Sequence, residues 1–155
     1  MKTLLTLLAT AVLTAGCSGS SSSGSTSGQP HATPYAGIYE GVVNLRASAA
    51  GGSATDEVAY RYVVGVDGEL TGYSPGQSGT GTCSETGKTY LSGNVAEGSV
   101  SGITCSSPEL GSCSVEGEGR TVFNATSAST SGVWRYFCTN GVFSVEYSGL
   151  LKKVG

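Results

Sequence analysis

The sequence predicts an all-β domain, and three observations carry that prediction. From Gly37 onward apolar and polar residues alternate with a period of two. The apolar positions are rich in Val and Tyr, and a Gly, Asn, Asp or Ser breaks the alternation about every eight to twelve residues. Side chains along a strand point alternately to its two faces, so each run has one face suited to a core and one suited to water. No stretch carries the wider spacing of an amphipathic helix.

The elements follow in order. Tyr39, Gly41, Val43 and Leu45 share one face of a first strand, with Glu40 and Asn44 on the other. Glu57 to Val66 forms a second, with Val58, Tyr60, Tyr62, Val64 and Val66 on one face and Arg61 turned away. Asp67-Gly68 reads as a two-residue hairpin turn whose central residues take positive φ, returning the chain through Glu69 to Tyr73. Weaker strands run from Gly79 to Ser84, Lys88 to Gly93 and Ser99 to Cys105, with turns at Glu85-Thr86-Gly87 and around Ala96-Glu97-Gly98. Ser112 to Phe123 is one bent strand or two short ones, because Gly117 and Gly119 invite a bulge. The last hairpin joins Val133 to Cys138 with Val142 to Leu151 through Thr139-Asn140-Gly141. Trp134 and Tyr136 share a face of its first strand, and Phe143, Val145 and Tyr147 a face of its second.

An antiparallel meander of eight or nine short strands closes most simply into an up-and-down β-barrel, which removes exposed edges; a β-sandwich is the second arrangement. Strict alternation of strand direction puts the turns at Asp67-Gly68, Glu85 to Gly87, Cys105 to Cys113 and Asn140-Gly141 at one end. Cys83, Cys105, Cys113 and Cys138 then gather at one rim, and the chain enters its first strand there too. The longer connections, Ala47 to Thr55 and Asn124 to Ser131, fall at the other rim. Four cysteines in a chain bound for an oxidising compartment imply two disulfides. The short loop holding Pro108 and Gly111 favours Cys105 with Cys113, leaving Cys83 with Cys138. The domain has no Cys-x-x-Cys and no histidine, so a metal or redox centre is not expected.

Ahead of this domain, Lys2 precedes an apolar run from Leu4 to Leu13, about ten residues long and too short to cross a bilayer. Leu13-Thr14-Ala15-Gly16-Cys17 follows directly, and Ser18 to Gly28 is almost wholly Ser, Gly and Thr, a composition that cannot bury a core. The expected organisation is a signal peptide over 1–16, a solvated leash over 17–36 and one domain over 37–155. The leash has a reach of roughly 25 Å.

Leu13 to Cys17 resembles the bacterial lipobox, with Thr14 where that family usually carries leucine. The resemblance implies that Cys17 carries the lipid of a cell-envelope lipoprotein held on the membrane. Ser18 stands where an aspartate resembles the inner-membrane retention signal, which implies the outer membrane in a Gram-negative cell. The glycine-punctuated pieces Gly37-Ile38-Tyr39-Glu40-Gly41, Gly68-Glu69-Leu70-Thr71-Gly72, Gly98-Ser99-Val100-Ser101-Gly102 and Gly132-Val133-Trp134 resemble those of small bacterial lipoprotein barrels and of avidin- and lipocalin-like barrels. That likeness implies architecture only.

The chemistry available is narrow. The formal charge is −3, and the only basic cluster is Lys152-Lys153, which excludes a nucleic-acid partner. The only histidine, His31, lies in the leash and cannot be held against a nucleophile, so no Ser-His-Asp or Cys-His site and no cofactor are expected. Glu40 and Glu146, in the first and last strands, are the carboxylates that barrel closure could pair, although alternation turns both outward. Tyr39, Tyr60, Tyr62, Trp134 and Tyr136 either line a ligand cavity or fill a barrel just wide enough for its own side chains. The expected function is therefore a non-enzymatic envelope protein that binds a small ligand or protein partner or serves envelope structure. The alternatives are a carboxylate-dependent hydrolase of cell-wall or extracellular polysaccharide and an inhibitor of a secreted hydrolase.

Overall fold

The computed structural model describes residues 32–73, 82–83, 89–107 and 111–154, and every regular element among them is a β-strand. The strands are β1 (Gly37–Ala49), β2 (Gly52–Val64), β3 (Glu69–Tyr73), β4 (Thr82–Cys83), β5 (Thr89–Tyr90), β6 (Val95–Ser107), β7 (Gly111–Phe123), β8 (Ser127–Cys138) and β9 (Gly141–Lys153). They form one antiparallel sheet in the order β4-β6-β7-β8-β9-β1-β2-β3-β5. The sheet curls until its ends nearly meet, giving a barrel with one unsealed seam between the β3/β5 side and the β4/β6 side. It is a single sheet, so the sandwich is not what the chain adopts.

Pairing overrides local propensity at two places. Ala47 to Thr55 and Asn124 to Ser131, expected as long connections, shrink to the turns at Ala50-Gly51 and at residues 124–126. Their small residues are poor strand formers alone. In the barrel, however, the end of β1 pairs with β2 on one side (Ala47↔Ala54) and β9 on the other (Ala47↔Val145), and the start of β8 lies between β7 and β9. Sheet preference is largely a matter of such neighbours.

The expected alternation of direction fails at one point. β5 is antiparallel to β3 and β4 is antiparallel to β6, while β3 and β6 run the same way, so β4 and β5 run the same way too. They are two pieces of one strand position rather than a hairpin, and the barrel has eight positions. Asp67-Gly68 therefore lies at the opposite end from the cysteines. The start of β1 also lies there, so the leash leaves from the rim opposite Cys105, Cys113 and Cys138. The expectation of a leash at the cysteine end is thereby corrected. The Glu85 to Gly87 turn lies outside the described residues.

The Asp67-Gly68 connection is also built differently. Among the described residues no non-glycine has positive φ, and within this connection Gly68 (φ 84°) alone enters the left-handed region. The Gly68 N–H donates to Gly65 O (3.0 Å) and the Gly65 N–H to Glu69 O (2.8 Å), so three residues, Val66 to Gly68, span the hairpin. This is a turn closed by a left-handed glycine, one of the common hairpin solutions. The Asp67 carboxylate accepts the Glu69 N–H (3.1 Å).

β7 runs unbroken, and the irregularity sits in β6, between Val100 and Ile103. Gly117 and Gly119 serve instead as seats for aromatic rings on the inner face. A β-carbon at Gly119 or Gly132 would fall on the Tyr147 hydroxyl, one at Gly117 would meet the Trp134 ring, and one at Gly72 would fall on the Tyr60 hydroxyl. Glycine under an aromatic is how a strongly curved sheet bends without leaving a void.

Candidate functional site

All five candidate lining aromatics point inward and are buried: Tyr39, Tyr60, Tyr62, Trp134 and Tyr136. They pack against one another and against neighbouring rings. Tyr39 meets Phe123 edge-on at 5.0 Å, Tyr60 meets Tyr62 at 5.0 Å, Trp134 stacks on Tyr147 at 6.3 Å and Tyr136 stacks on Phe143 at 4.5 Å. Such pairs add stability beyond simple burial.

The interior also holds polar groups. Tyr62 Oη and Thr130 Oγ1 lie 3.0 Å apart, Thr121 Oγ1 is 2.9 Å from Thr130 Oγ1, and the Thr121 hydroxyl donates to Tyr62 Oη at 3.3 Å, a closed triad of buried hydroxyls. The Tyr39 hydroxyl donates to Tyr35 O at 2.9 Å. Trp134 Nε1 and Tyr136 Oη, two residues apart on β8, are buried without a hydrogen-bond partner among the described residues. Burial alone pushes the Tyr136 phenol well above its ordinary pKa.

The candidate carboxylates are not brought together. Glu40 is paired with Arg61, which faces it from β2, and lies opposite Lys152 of β9. Glu146 lies opposite Arg46 of β1. Positions 40 and 46 of β1 separate the two by roughly 20 Å of strand, at about 3.3 Å per residue. Both are on the outer face, far outside the spacing that two-carboxylate glycoside hydrolysis requires. Asp56 stands on the inward side of β2 opposite Leu45.

The cysteines form a row across four neighbouring strands: Cys83 opposite Cys105, Cys105 opposite Cys113, and Cys113 opposite Cys138. The bridge is Cys113–Cys138, and Cys105 is disulfide-bonded as well. This corrects the expected pairing of Cys105 with Cys113 and Cys83 with Cys138. The reason is ladder parity. The Thr139 N–H donates to Ser112 O (3.1 Å), so 112 and 139 form a hydrogen-bonded pair and 113 and 138 a non-hydrogen-bonded one, in which side chains approach more closely. The backbone groups of Cys113 then face β6, which makes Cys105 and Cys113 the wider kind of pair.

The surface feature that stands out is on the outside of the barrel. A depression of about 1000 Å³ on the wall of β2, β1, β9 and β8 is bordered by Asn44, Arg46, Glu57, Ser131, Glu146 and Ser148. A second, of about 750 Å³, bordered by Glu97, Glu118 and Arg120, joins it at Ser131 and Gly132. Gly98, Gly119 and Gly132, side by side on three strands, also border the second. Two exposed apolar cross-strand pairs flank the first depression along β9: Phe137 with Val142 toward the cysteine rim, and Val42 with Leu150 toward the other. Eight residues of β9, roughly 27 Å, separate Val142 from Leu150. The alternating pattern places Asn44, Arg46 and Ser148 on a solvated face but does not distinguish that face from any other.

Among the described residues, no three His, Cys, Asp or Glu side chains gather in the way a metal ion would require. Cys17 and His31 lie outside the described residues. No family model, curated protein or solved structure matches the chain.

Proposed function

We propose that this chain is a cell-envelope lipoprotein, anchored through Cys17, that carries a disulfide-stapled β-barrel on a solvated leash and works by binding a ligand or protein partner. The observation that carries the reading is the run Leu13-Thr14-Ala15-Gly16-Cys17 followed at once by the Ser/Gly leash. A lipid-modified residue needs such a spacer to hold a folded domain clear of the headgroups. Disulfide-bonded Cys105, Cys113 and Cys138 agree with an oxidising compartment. Binding rather than catalysis is supported by the separation of Glu40 from Glu146. The working surface on this reading is the β8–β9–β1 wall, where a polar depression lies between two apolar pairs. Metabolic labelling with a palmitate analogue tests the anchor: the native chain takes up label and Cys17→Ser does not, whereas equal labelling of the two refutes it.

A further inference from the structure

Of the large apolar side chains exposed among the described residues, Phe137, Val142, Val42 and Leu150 lie within strands and face sideways from the wall. Three others stand at one end of the barrel, the rim where β1 begins. Val66 is 70% exposed in the β2–β3 hairpin loop, Val154 is 57% exposed just past β9, and Tyr90 is 51% exposed at the end of β5. That rim is tied together by its backbone: the Thr33 N–H donates to Val66 O (3.0 Å), the Leu91 N–H to Gly68 O (3.0 Å) and the Val154 N–H to Ile38 O (2.8 Å). The apolar side chains are thus held on a fixed frame.

The leash reaches the barrel at this same rim, through Thr33. The sixteen residues from Cys17 to Ala32 have a reach of roughly 20 Å, which keeps the rim close to whatever holds Cys17. From this placement we infer that the leash rim seats on the surface of the membrane carrying the anchor, with Val66, Tyr90 and Val154 entering the headgroup region. The inference rests on the anchor reading above and adds an orientation to it. Charge is not the source of the contact. Lys152 and Lys153 are offset at this rim by Asp67 and Glu69, and the Lys153 ammonium lies over the Tyr39 ring at 5.6 Å. A tyrosine is a residue type favoured at the membrane–water boundary, and buried apolar area adds to such a contact. The barrel then stands on this rim with its cysteine rim roughly 30 Å outward, the height of thirteen-residue strands tilted as in small barrels. The β8–β9–β1 wall is left facing sideways, open to a partner.

The test uses the full lipidated chain reconstituted in phosphatidylcholine vesicles that contain lipid brominated near the headgroup end of the acyl chain. The sole tryptophan, Trp134, is buried and supplies the background. Tyr90→Trp and Val154→Trp report on the leash rim, and Phe137→Trp reports on the far end. The expected result is that the protein floats with the vesicles and that both rim reporters are quenched several-fold more than Phe137→Trp. Adding anionic lipid should leave that difference unchanged. Introducing Val66→Asp into the Tyr90→Trp chain should reduce its quenching while flotation persists. Flotation with equal quenching at the two ends overturns the seat and leaves the anchor standing. Failure of the native chain to float overturns the anchor reading and the seat with it.

Discussion

The Tyr147 hydroxyl occupies the place that a β-carbon at Gly119 would take, although the two residues lie on β9 and β7 with β8 between them. The next atoms around that β-carbon are at 3.3 Å or beyond, so the hydroxyl is the main obstacle. Gly132, directly opposite Tyr147, differs, because there a β-carbon would also lie 2.5 Å from the Glu118 carbonyl oxygen. Gly119→Ala should therefore destabilise the barrel by about 1–3 kcal/mol, the usual range for overpacking. In a Tyr147→Phe background most of that loss should vanish. Gly132→Ala should cost as much in either background, since backbone cannot move aside. Urea unfolding of the two double-mutant cycles decides the matter, and equal coupling in both cycles contradicts this account.

The two kinds of buried hydroxyl should respond oppositely to removal. Tyr136 Oη has no partner among the described residues, so Tyr136→Phe removes a desolvated group without breaking a bond and should leave stability unchanged or raise it by about 1 kcal/mol. Thr130→Val deletes an oxygen that lies within hydrogen-bonding distance of both Tyr62 and Thr121, and should cost about 1–3 kcal/mol. Comparison of denaturation midpoints checks both, and a clear loss in Tyr136→Phe would show that its hydroxyl is satisfied in solution.

Alkaline pH should act through the same phenol. Burial raises the Tyr136 pKa well above 10.0, so the folded chain holds that proton more tightly than the unfolded chain does. The contribution is fully present below the unfolded pKa and is lost as pH rises from about 10 toward the folded value. The stability advantage of Tyr136→Phe over the native protein should therefore widen between about pH 9 and pH 11. Urea midpoints for the two proteins at each pH measure it, and a constant difference refutes it.

How much of this was legible in the sequence depends on how local each signal is. The alternation that puts Tyr39, Val43, Tyr60, Trp134 and Tyr136 on inner faces is a property of each strand alone, and the structure follows it residue by residue. The direction of β5 relative to β4 is not local. It follows from which long strand each fragment pairs with, and it decides the rim at which β1 begins. The disulfide partner of Cys113 was out of reach for a related reason, since it depends on which neighbour the backbone groups of Cys113 face, and ladder parity leaves no mark in composition. The outer depression bordered by Arg46 and Glu146 is assembled from four strands, β2, β1, β9 and β8. Charged residues in an alternating strand look alike whether the wall behind them is convex or hollow.

The cysteine row yields the last prediction. Since 113 and 138 are the close kind of cross-strand pair and 105 and 113 the wide kind, non-reducing peptide maps should contain Cys113 joined to Cys138 and no peptide joining Cys105 to Cys113. Cys105 should be recovered with Cys83, its neighbour in register on β4. The Cys113–Cys138 bridge closes a loop with a sequence separation of 25 residues, for which chain entropy gives a stabilisation of about 3 kcal/mol. The double variant Cys113→Ser, Cys138→Ser should lose about that much, measured by urea unfolding. Because β7 and β8 also pair along their whole length, from Cys113↔Cys138 to Phe123↔Ala128, the variant should still fold. Loss of all cooperative unfolding in it would mean that the bridge, rather than the ladder, sets the register of these strands.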